Sequence, residues 1–296
     1  MKHKLIIILI LLGMFLVTQF IGLYVVNHYS QTGNELPYGM EPPKDVDPVS
    51  FFPSIIIAFI IAIVLFFLLT KFKVEFILKL WFFIVIVLAL GISINSFFPA
   101  SKYIPIIALA IALPFALIKI FNRNILVHNA TELFIYPGIA AIFVPLLNIW
   151  TMILLLILIS VYDMWAVWKS KIMQKMAKYQ INTLKIFSGF FIPYFSKKDR
   201  QKIKMLKQKY KSSQLKKKKI KVNIAILGGG DVIFPIISAG VMLKTLGIWP
   251  AIFVILGAGL GLSYLLFFSE KKKFYPAMPF ITTGIFLGML VSVIVF

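Results

Sequence analysis

Long apolar segments are the feature of this sequence that most restricts how the chain can fold. Stretches of about 20 mostly apolar residues, enough to cross a bilayer as an α-helix, recur along the whole chain. Apolar residue types make up 60% of the 296 residues, more than a soluble domain of this length can bury. We therefore predict an all-α polytopic membrane protein. The nine candidate spans are Leu5–Val26, Phe51–Thr70, Phe76–Phe97, Ile104–Phe121, Leu133–Leu147, Ile149–Trp168, Val222–Leu243, Ala251–Phe268 and Tyr275–Val295.

The first apolar segment follows a short basic start and so has the outline of a secretory signal. Its apolar run is too long for a signal, and no cleavage site of small residues follows it. We interpret Leu5–Val26 as a retained transmembrane helix.

Positive charge is distributed unevenly between the alternate connections of the predicted spans. One side carries eighteen basic residues between Lys169 and Lys221, together with basic residues at its other loops. The opposite side carries only Lys44, Lys102 and Lys244. Because cytoplasmic loops are enriched in lysine and arginine, this asymmetry predicts nine transmembrane helices with the N-terminus in the cytoplasm and the C-terminus outside.

The long basic connection divides the chain into three parts. Residues 1–168 are a six-span N-terminal block, residues 169–221 a basic cytoplasmic loop, and residues 222–296 a three-span C-terminal block. The loop lysines suit nucleic acid or anionic lipid, but the positive-inside rule explains them without any ligand. We therefore expect membrane lipid, and no nucleic acid, as a partner. Within the loop, Ile186–Phe195 is too short to span and is expected to lie on the membrane or plug a groove.

Two aspartates lie well inside apolar segments, Asp163 in the sixth and Asp231 in the seventh. An unpaired aspartate at membrane depth costs about 2.5–3.5 kcal/mol, so such a residue usually faces a cavity or a partner. A structural hydrogen bond or a proton relay would explain either aspartate alone. Glu132, at the start of the fifth segment, is expected to be solvated at the membrane interface.

The predicted topology brings the two aspartates to similar depths on neighbouring antiparallel helices. Asp163 would lie about 8 Å and Asp231 about 14 Å from the cytoplasmic side, at 1.5 Å per residue. Two carboxyls that share one site hold a single proton between them, as in aspartyl proteases. One carboxyl can then accept a proton from the attacking water while the other donates to the scissile carbonyl.

The residues beside the aspartates add weaker signals. Tyr162 either hydrogen-bonds in a polar pocket or belongs to an aromatic belt with Trp165 and Trp168. The run Gly228-Gly229-Gly230 precedes Asp231 and would let the backbone unwind or a substrate strand approach, although small residues also serve helix packing.

A segment with two prolines, Pro276-Ala277-Met278-Pro279, lies at the start of the last span. Two prolines in four residues disfavour regular helix and remove two backbone donors. The segment is therefore a candidate to hold an extended substrate backbone. The alternative is an ordinary helix start with Pro276 in the first turn.

Three motifs follow one another in order: Tyr162-Asp163, Gly228-Gly229-Gly230-Asp231 and Pro276-Ala277-Met278-Pro279. Together they resemble the YD, GxGD and PAL signatures of the presenilin and signal peptide peptidase family of intramembrane aspartyl proteases. The resemblance implies that Asp163 and Asp231 are catalytic and that Pro276, Ala277 and Met278 support the substrate. Met278 replaces the usual leucine of the family, a change that conserves volume.

The resemblance also indicates where such a protein works and with what. A cytoplasmic N-terminus and Pro279 are more similar to presenilin than to signal peptide peptidase. The short chain resembles a prokaryotic homologue, which implies a prokaryotic cell membrane, transmembrane substrates, possible oligomers and no obligate partner subunit. With no cysteine and three widely separated histidines, no metal site is predicted, and no cofactor is expected.

A secondary transporter or ion channel is the main alternative class. Such proteins also use carboxylates within the membrane and helices interrupted by glycine. No repeated motif relates the first spans to the last ones, as inverted repeats would require. An inactive protein of the same fold is also compatible with the sequence.

Overall fold

The computed structural model describes residues 5–31, 34–41, 47–72, 74–122, 124–170, 179, 186–194, 223–270 and 274–295. Within these ranges the helices are α1 (Leu5–Ser30), α2 (Pro48–Lys71), α3 (Glu75–Asn95), α4 (Ile104–Leu117), α5 (Ile125–Phe143), α6 (Ile149–Met164), α7 (Gly229–Leu246), α8 (Ile248–Phe268) and α9 (Met278–Val295). The strands are β1 (Gly189–Tyr194) and β2 (Asn223–Gly228). Helices α4 and α6 each continue into a π-helical turn, Ile118–Asn122 and Trp165–Lys169.

Most of these helices are suited to a membrane. In the described part of the chain, eight are long and apolar enough to cross a bilayer, and α2 adds a shorter apolar helix, Pro48–Ala62. Large apolar side chains such as Ile106, Leu260 and Val293 are exposed on the outer faces, as lipid contact requires. A helix satisfies its backbone polar groups internally, which is what hydrocarbon surroundings demand. The predicted polytopic helical class is confirmed, with a two-stranded sheet in addition.

The predicted seventh span, Val222–Leu243, is not a single helix. Its first part forms β2, and α7 begins only at Gly229. Ile224 and Ile226 are exposed whereas Ala225 and Leu227 are buried, the alternation of a strand. An uninterrupted apolar run does not distinguish a buried strand from a helix, and the prediction failed for this reason.

The apolar segment of the long loop is the partner of that strand. Gly189–Tyr194 forms β1 and pairs antiparallel with β2, from Gly189 opposite Gly228 to Tyr194 opposite Asn223. Phe190 is fully buried in the main core. The segment is thus a paired strand rather than a separate surface element, because its backbone groups find partners in β2.

Helix α7 lies at the centre of the bundle, in contact with α1, α5, α6, α8 and α9. The main core includes Phe15 of α1, Tyr136 of α5 and Ile236 of α7, each at most 2% exposed. The two blocks predicted on either side of the loop therefore share one core. A second cluster lies between α3, α4 and α5.

Helices α8 and α9 approach each other closely through glycines. Gly257 and Gly261 on α8 and Gly284 and Gly288 on α9 both have the four-residue spacing that places glycines on one helix face. A Cβ atom on Gly257 would collide with the carbonyl group of Gly284, and one on Gly284 with the carbonyl group of Gly257. This contact holds α9, whose N-terminal end faces α6.

Candidate active site

Asp163 lies near the C-terminal end of α6, just before the π-helical turn. Its side chain is 6% exposed, and Oδ2 accepts a hydrogen bond from the backbone N–H of Met278 at 3.0 Å. The carboxylate also accepts from the N–H of Ala277. Since Met278 is the first residue of α9, Asp163 occupies the N-terminus of that helix, where free N–H groups and the helix dipole favour an anion.

The segment with two prolines therefore binds the Asp163 carboxylate, a role that the sequence did not indicate. The residues before Met278 are not helical, as predicted, and Pro276 and Met278 are buried. Helix α9 then starts normally, with Pro279 at its second position, where a missing N–H costs little. The contacts of Ala277 and Met278 are with Asp163, so the segment orients this carboxylate. Binding of a substrate by Pro276, Ala277, Met278 and Pro279 stays a prediction.

Asp231 lies in the first turn of α7 and is 9% exposed. Gly228, the residue before the helix, is extended, with φ −65° and ψ 148°, and its N–H donates to the Asp231 carboxylate. The prediction that Asp231 lies well inside a helical seventh span was wrong, because β2 forms the first part of the apolar run and the helix begins only at Gly229. The junction between strand and helix thus places Asp231 at the end of its helix.

The two aspartates occupy the same end of the bundle. Helices α6 and α7 contact each other, and the charge of Asp163 acts electrostatically on Asp231. Among the described contacts no hydrogen bond joins the two carboxyls. Each of them is bonded instead to a nearby backbone N–H. The arrangement is a pair of buried carboxyls, each held by its own backbone segment.

The three glycines before Asp231 have different surroundings. A Cβ atom on Gly229 would lie 2.7 Å from Ser188 Oγ and 2.8 Å from the hydroxyl oxygen of Tyr136. Gly230 is exposed, and a Cβ atom there would meet only Phe234, at an ordinary 3.7 Å. Gly229 is therefore required by packing, whereas Gly230 leaves space beside Asp231.

Substitution of Gly229 and Gly230 should distinguish the glycine that packing requires from the one that leaves space beside Asp231. We expect Gly229→Ala to destabilise the protein by about 1–3 kcal/mol, since a buried contact becomes overpacked. Gly230→Ala should leave stability unchanged or raise it by up to about 1 kcal/mol, the helix propensity difference. Thermal unfolding of both variants in the same detergent measures this. Equal melting temperatures would contradict the assigned packing.

Tyr162 is half-buried, and its ring centroid lies 6.3 Å from that of Trp165. Trp165 and Trp168 are both exposed. These contacts favour the aromatic belt over the polar pocket among the two predicted roles of Tyr162.

A buried polar cluster between α5 and the π-helical turn that follows α4 was missed by sequence reasoning. Glu132 is 1% exposed, so the prediction of a solvated side chain was wrong. Its Oε1 accepts from Lys119 Nζ at 2.7 Å, and His128 Nδ1 lies 3.2 Å from the same Nζ. The four-residue spacing of His128, Glu132 and Tyr136 was an available signal, since it places them on one helix face. Lys119, on another element, could not be assigned as the partner.

In the ranges given above, no three histidine or acidic residues are placed to hold a metal ion. A cleft of about 520 Å³ opens at the other end of the bundle, between the α1–α2 and α3–α4 connections. It shares no lining residue with the aspartate site.

Comparison with known proteins shows the family and the fold of this chain. The profile of a family described as signal-peptide peptidase, presenilin aspartyl protease matches residues 12–296. Two solved structures of a presenilin family intramembrane aspartate protease, in the C222 and P2 space groups, each superpose with a TM-score of 0.62 and 19% identity. The C222 comparison covers 98% of this chain and 99% of the other, and the P2 comparison 97% of each. A search of curated proteins found no match.

The match of the family profile to nearly the whole chain, on a bundle of apolar helices, identifies an aspartyl protease that works inside the membrane. This chain belongs to the signal-peptide peptidase and presenilin aspartyl protease family. It is an integral multi-pass membrane protein and an aspartic endopeptidase.

Proposed function

We propose that Asp163 and Asp231 are the catalytic pair that hydrolyses peptide bonds within transmembrane segments of other proteins. The observation that supports this most directly is the burial of both carboxyls at the same end of α6 and α7. Each is oriented by the backbone N–H group of a neighbouring segment. Buried carboxyls that act on each other share one proton.

The shared proton provides both halves of the reaction. The ionised carboxyl accepts a proton from water as the water oxygen attacks the scissile carbonyl carbon. The protonated carboxyl donates its proton to the carbonyl oxygen, which yields a neutral tetrahedral intermediate. The first carboxyl, now protonated, then donates its proton to the nitrogen of the leaving amine as the C–N bond breaks. At the same time the second carboxyl, now ionised, takes a proton from one hydroxyl of the intermediate, so that the product acid forms and the pair again holds one proton. The titration belongs to the pair rather than to either aspartate.

A substrate helix has to unwind, because an intact helix hides its own peptide bonds. In the β1–β2 ladder the N–H of Gly229 donates to the carbonyl oxygen of Ser188, so alternate residues of β2 direct their backbone groups away from β1. Ile224 and Ile226 are such residues, and in the described part of the chain β2 pairs with β1 alone. We infer that an unwound substrate adds to this edge as a strand, which leads past Gly228 and exposed Gly230 to Asp231.

The first test uses the purified chain in liposomes with a single-span substrate. We expect products whose masses place the cut within the apolar segment of the substrate. An inhibitor that mimics the tetrahedral intermediate of aspartyl proteases should block the cleavage, because it binds the carboxyl pair. Transport of ions or solutes without proteolysis would instead support the transporter alternative.

We also propose the finer topology and location. Nine crossings with α2 as one of them, a cytoplasmic N-terminus and a C-terminus outside follow from the charge asymmetry. A chain that cleaves without obligate partner subunits is part of the same proposal. Lipid, and no nucleic acid, would be its other partner, in a prokaryotic cell membrane.

Labelling of single cysteines tests this orientation, because the chain contains no cysteine of its own. With a reagent that cannot cross the membrane, we expect Lys44→Cys to react from outside intact cells. Lys198→Cys in the basic loop should react only after the membrane is opened. Reaction of both from the same side would refute the topology.

A further inference from the structure

The edge of β1 that faces away from β2 is paired with side chains of α5. Asn129 forms two hydrogen bonds with the backbone of Phe191: Nδ2 donates to the carbonyl oxygen at 2.9 Å, and Oδ1 accepts from the N–H at 3.1 Å. This amide therefore bonds the strand as a neighbouring strand would. Side chains of a helix here replace a third strand.

Two residues earlier in β1, Gly189 is bonded to α5 along the same edge. Its N–H donates to Glu132 Oε1 at 3.3 Å, and its carbonyl oxygen lies 2.8 Å from His128 Nε2. The His128 ring also stacks on Phe191, with centroids 4.3 Å apart and planes 3° from parallel. Gly189 has φ +144°, a conformation that favours glycine. Both residues of β1 whose N–H and C=O groups point away from β2 are thus bonded to α5.

Burial makes these bonds selective. His128 and Glu132 are 6% and 1% exposed, and the Lys119 ammonium pairs with the Glu132 carboxylate in the same place. A slip of β1 by two residues in either direction would place a phenylalanine, Phe187 or Phe191, at the position of Gly189, where a Cβ atom would collide with the carbonyl oxygen of Leu227. One of the two slips would also place Pro193, which has no N–H, beside Asn129. The contacts therefore specify one position of β1 along α5.

The position of β1 affects the position of Asp231, because β1 pairs with β2 and β2 leads directly into α7. Gly189 lies opposite Gly228, and the ladder continues with the bond from Gly229 to Ser188. Tyr136, four residues after Glu132 on α5, packs against Gly229. Helix α5 therefore contacts both β1, which pairs with β2, and Gly229, the first residue of α7.

We propose that His128, Asn129 and Glu132 are positioning residues of the protease, which set the register of β1 against β2 and thereby the place of Gly228 and Asp231. This rests on the proposed function in that Asp231 is taken as catalytic. These residues do not touch the reacting atoms. They act through the strand.

Disulfide cross-linking measures the register without any reference to activity. Pro193 and Ile224 are opposite residues at an exposed, non-hydrogen-bonded position, so Pro193→Cys with Ile224→Cys should cross-link in the parent protein. Pro193→Cys with Ile226→Cys reports a slip of two residues. We expect Asn129→Ala to weaken the first cross-link and strengthen the second.

The matched control is Asn124→Ala, at the start of the same helix. Asn124 accepts hydrogen bonds from the N–H groups of Leu126 and Val127 and has none with β1. Its replacement should lower the melting temperature with no change in cross-linking. Asn129→Asp, which keeps the acceptor oxygen and loses the donor, should lie between Asn129→Ala and the parent.

Kinetics of the same variants, without the cysteines, complete the test. We expect Asn129→Ala to lower kcat by up to about 100-fold with KM nearly unchanged, since a small misplacement of a catalytic group has such effects. Unchanged cross-linking, or a shifted cross-link with the kcat of the Asn124→Ala control, would overturn the positioning role. A lowered kcat in Asn129→Ala together with full activity in Asp231→Asn would overturn the proposed function instead.

Discussion

Replacement of either Asp163 or Asp231 by asparagine should reduce cleavage of a single-span substrate by at least about 10²–10⁴-fold, the usual contribution of general acid–base catalysis. Asparagine has nearly the size of aspartate, and its Oδ1 can still accept the bond from Met278 or Gly228. It cannot accept or deliver the shared proton, so the fold should persist while the chemistry stops. Initial rates at saturating substrate, measured by mass spectrometry of the products, give the effect.

The matched control for this experiment is Asp47→Asn. Asp47 lies at the start of α2 and accepts from the backbone N–H groups of Val49 and Ser50. Asparagine serves this capping position as well as aspartate, so neither stability nor activity should change. Continued cleavage by both Asp163→Asn and Asp231→Asn would refute the assigned pair.

Replacement of Lys119 by methionine should be the most destabilising single change. The Lys119 and Glu132 side chains are only 3% and 1% exposed, and their charged atoms lie 2.7 Å apart. Removal of one member leaves an uncompensated buried charge, at a cost of about 3–5 kcal/mol. Denaturant or thermal unfolding in mild detergent measures the loss.

The double variant Lys119→Met with Glu132→Gln distinguishes a lost charge partner from lost packing. With both charges removed, most of the stability should return, because neutral side chains need no ionic partner in that environment. A double variant as unstable as Lys119→Met alone would show that packing of the lysine stem, rather than the ion pair, holds α4 to α5.

The helices were predictable because their signal is local. A bilayer requires each spanning segment to be apolar over its full length and to satisfy its own backbone. A run such as Ile149–Trp168 therefore identifies α6 together with its π-helical turn, Ile149–Lys169, almost to the residue. The strand β2 was not predictable in this way. Its apolar run continues into α7, and only pairing with β1, about 35 residues earlier in the chain, makes it extended.

The polar residues also divide into those that the sequence made predictable and those that it did not. Asp163 and Asp231 stand out by cost alone, as acids where the membrane tolerates few. Glu132 was misjudged because its partner, Lys119, comes from a different helix, and charge near a segment end also suits the water interface. The role of Ala277 and Met278 as donors to Asp163 was equally hidden, since backbone N–H groups have no signature in sequence.

The sequence by itself determined the medium, the helical class and the two acidic candidates for catalysis, because each follows from the composition of short segments. The tertiary structure alone decided that Asp163 caps α9, that Asp231 stands at a junction of strand and helix, and that α5 holds the strand before it. These depend on groups far apart in the chain, whose partners only the packed bundle defines.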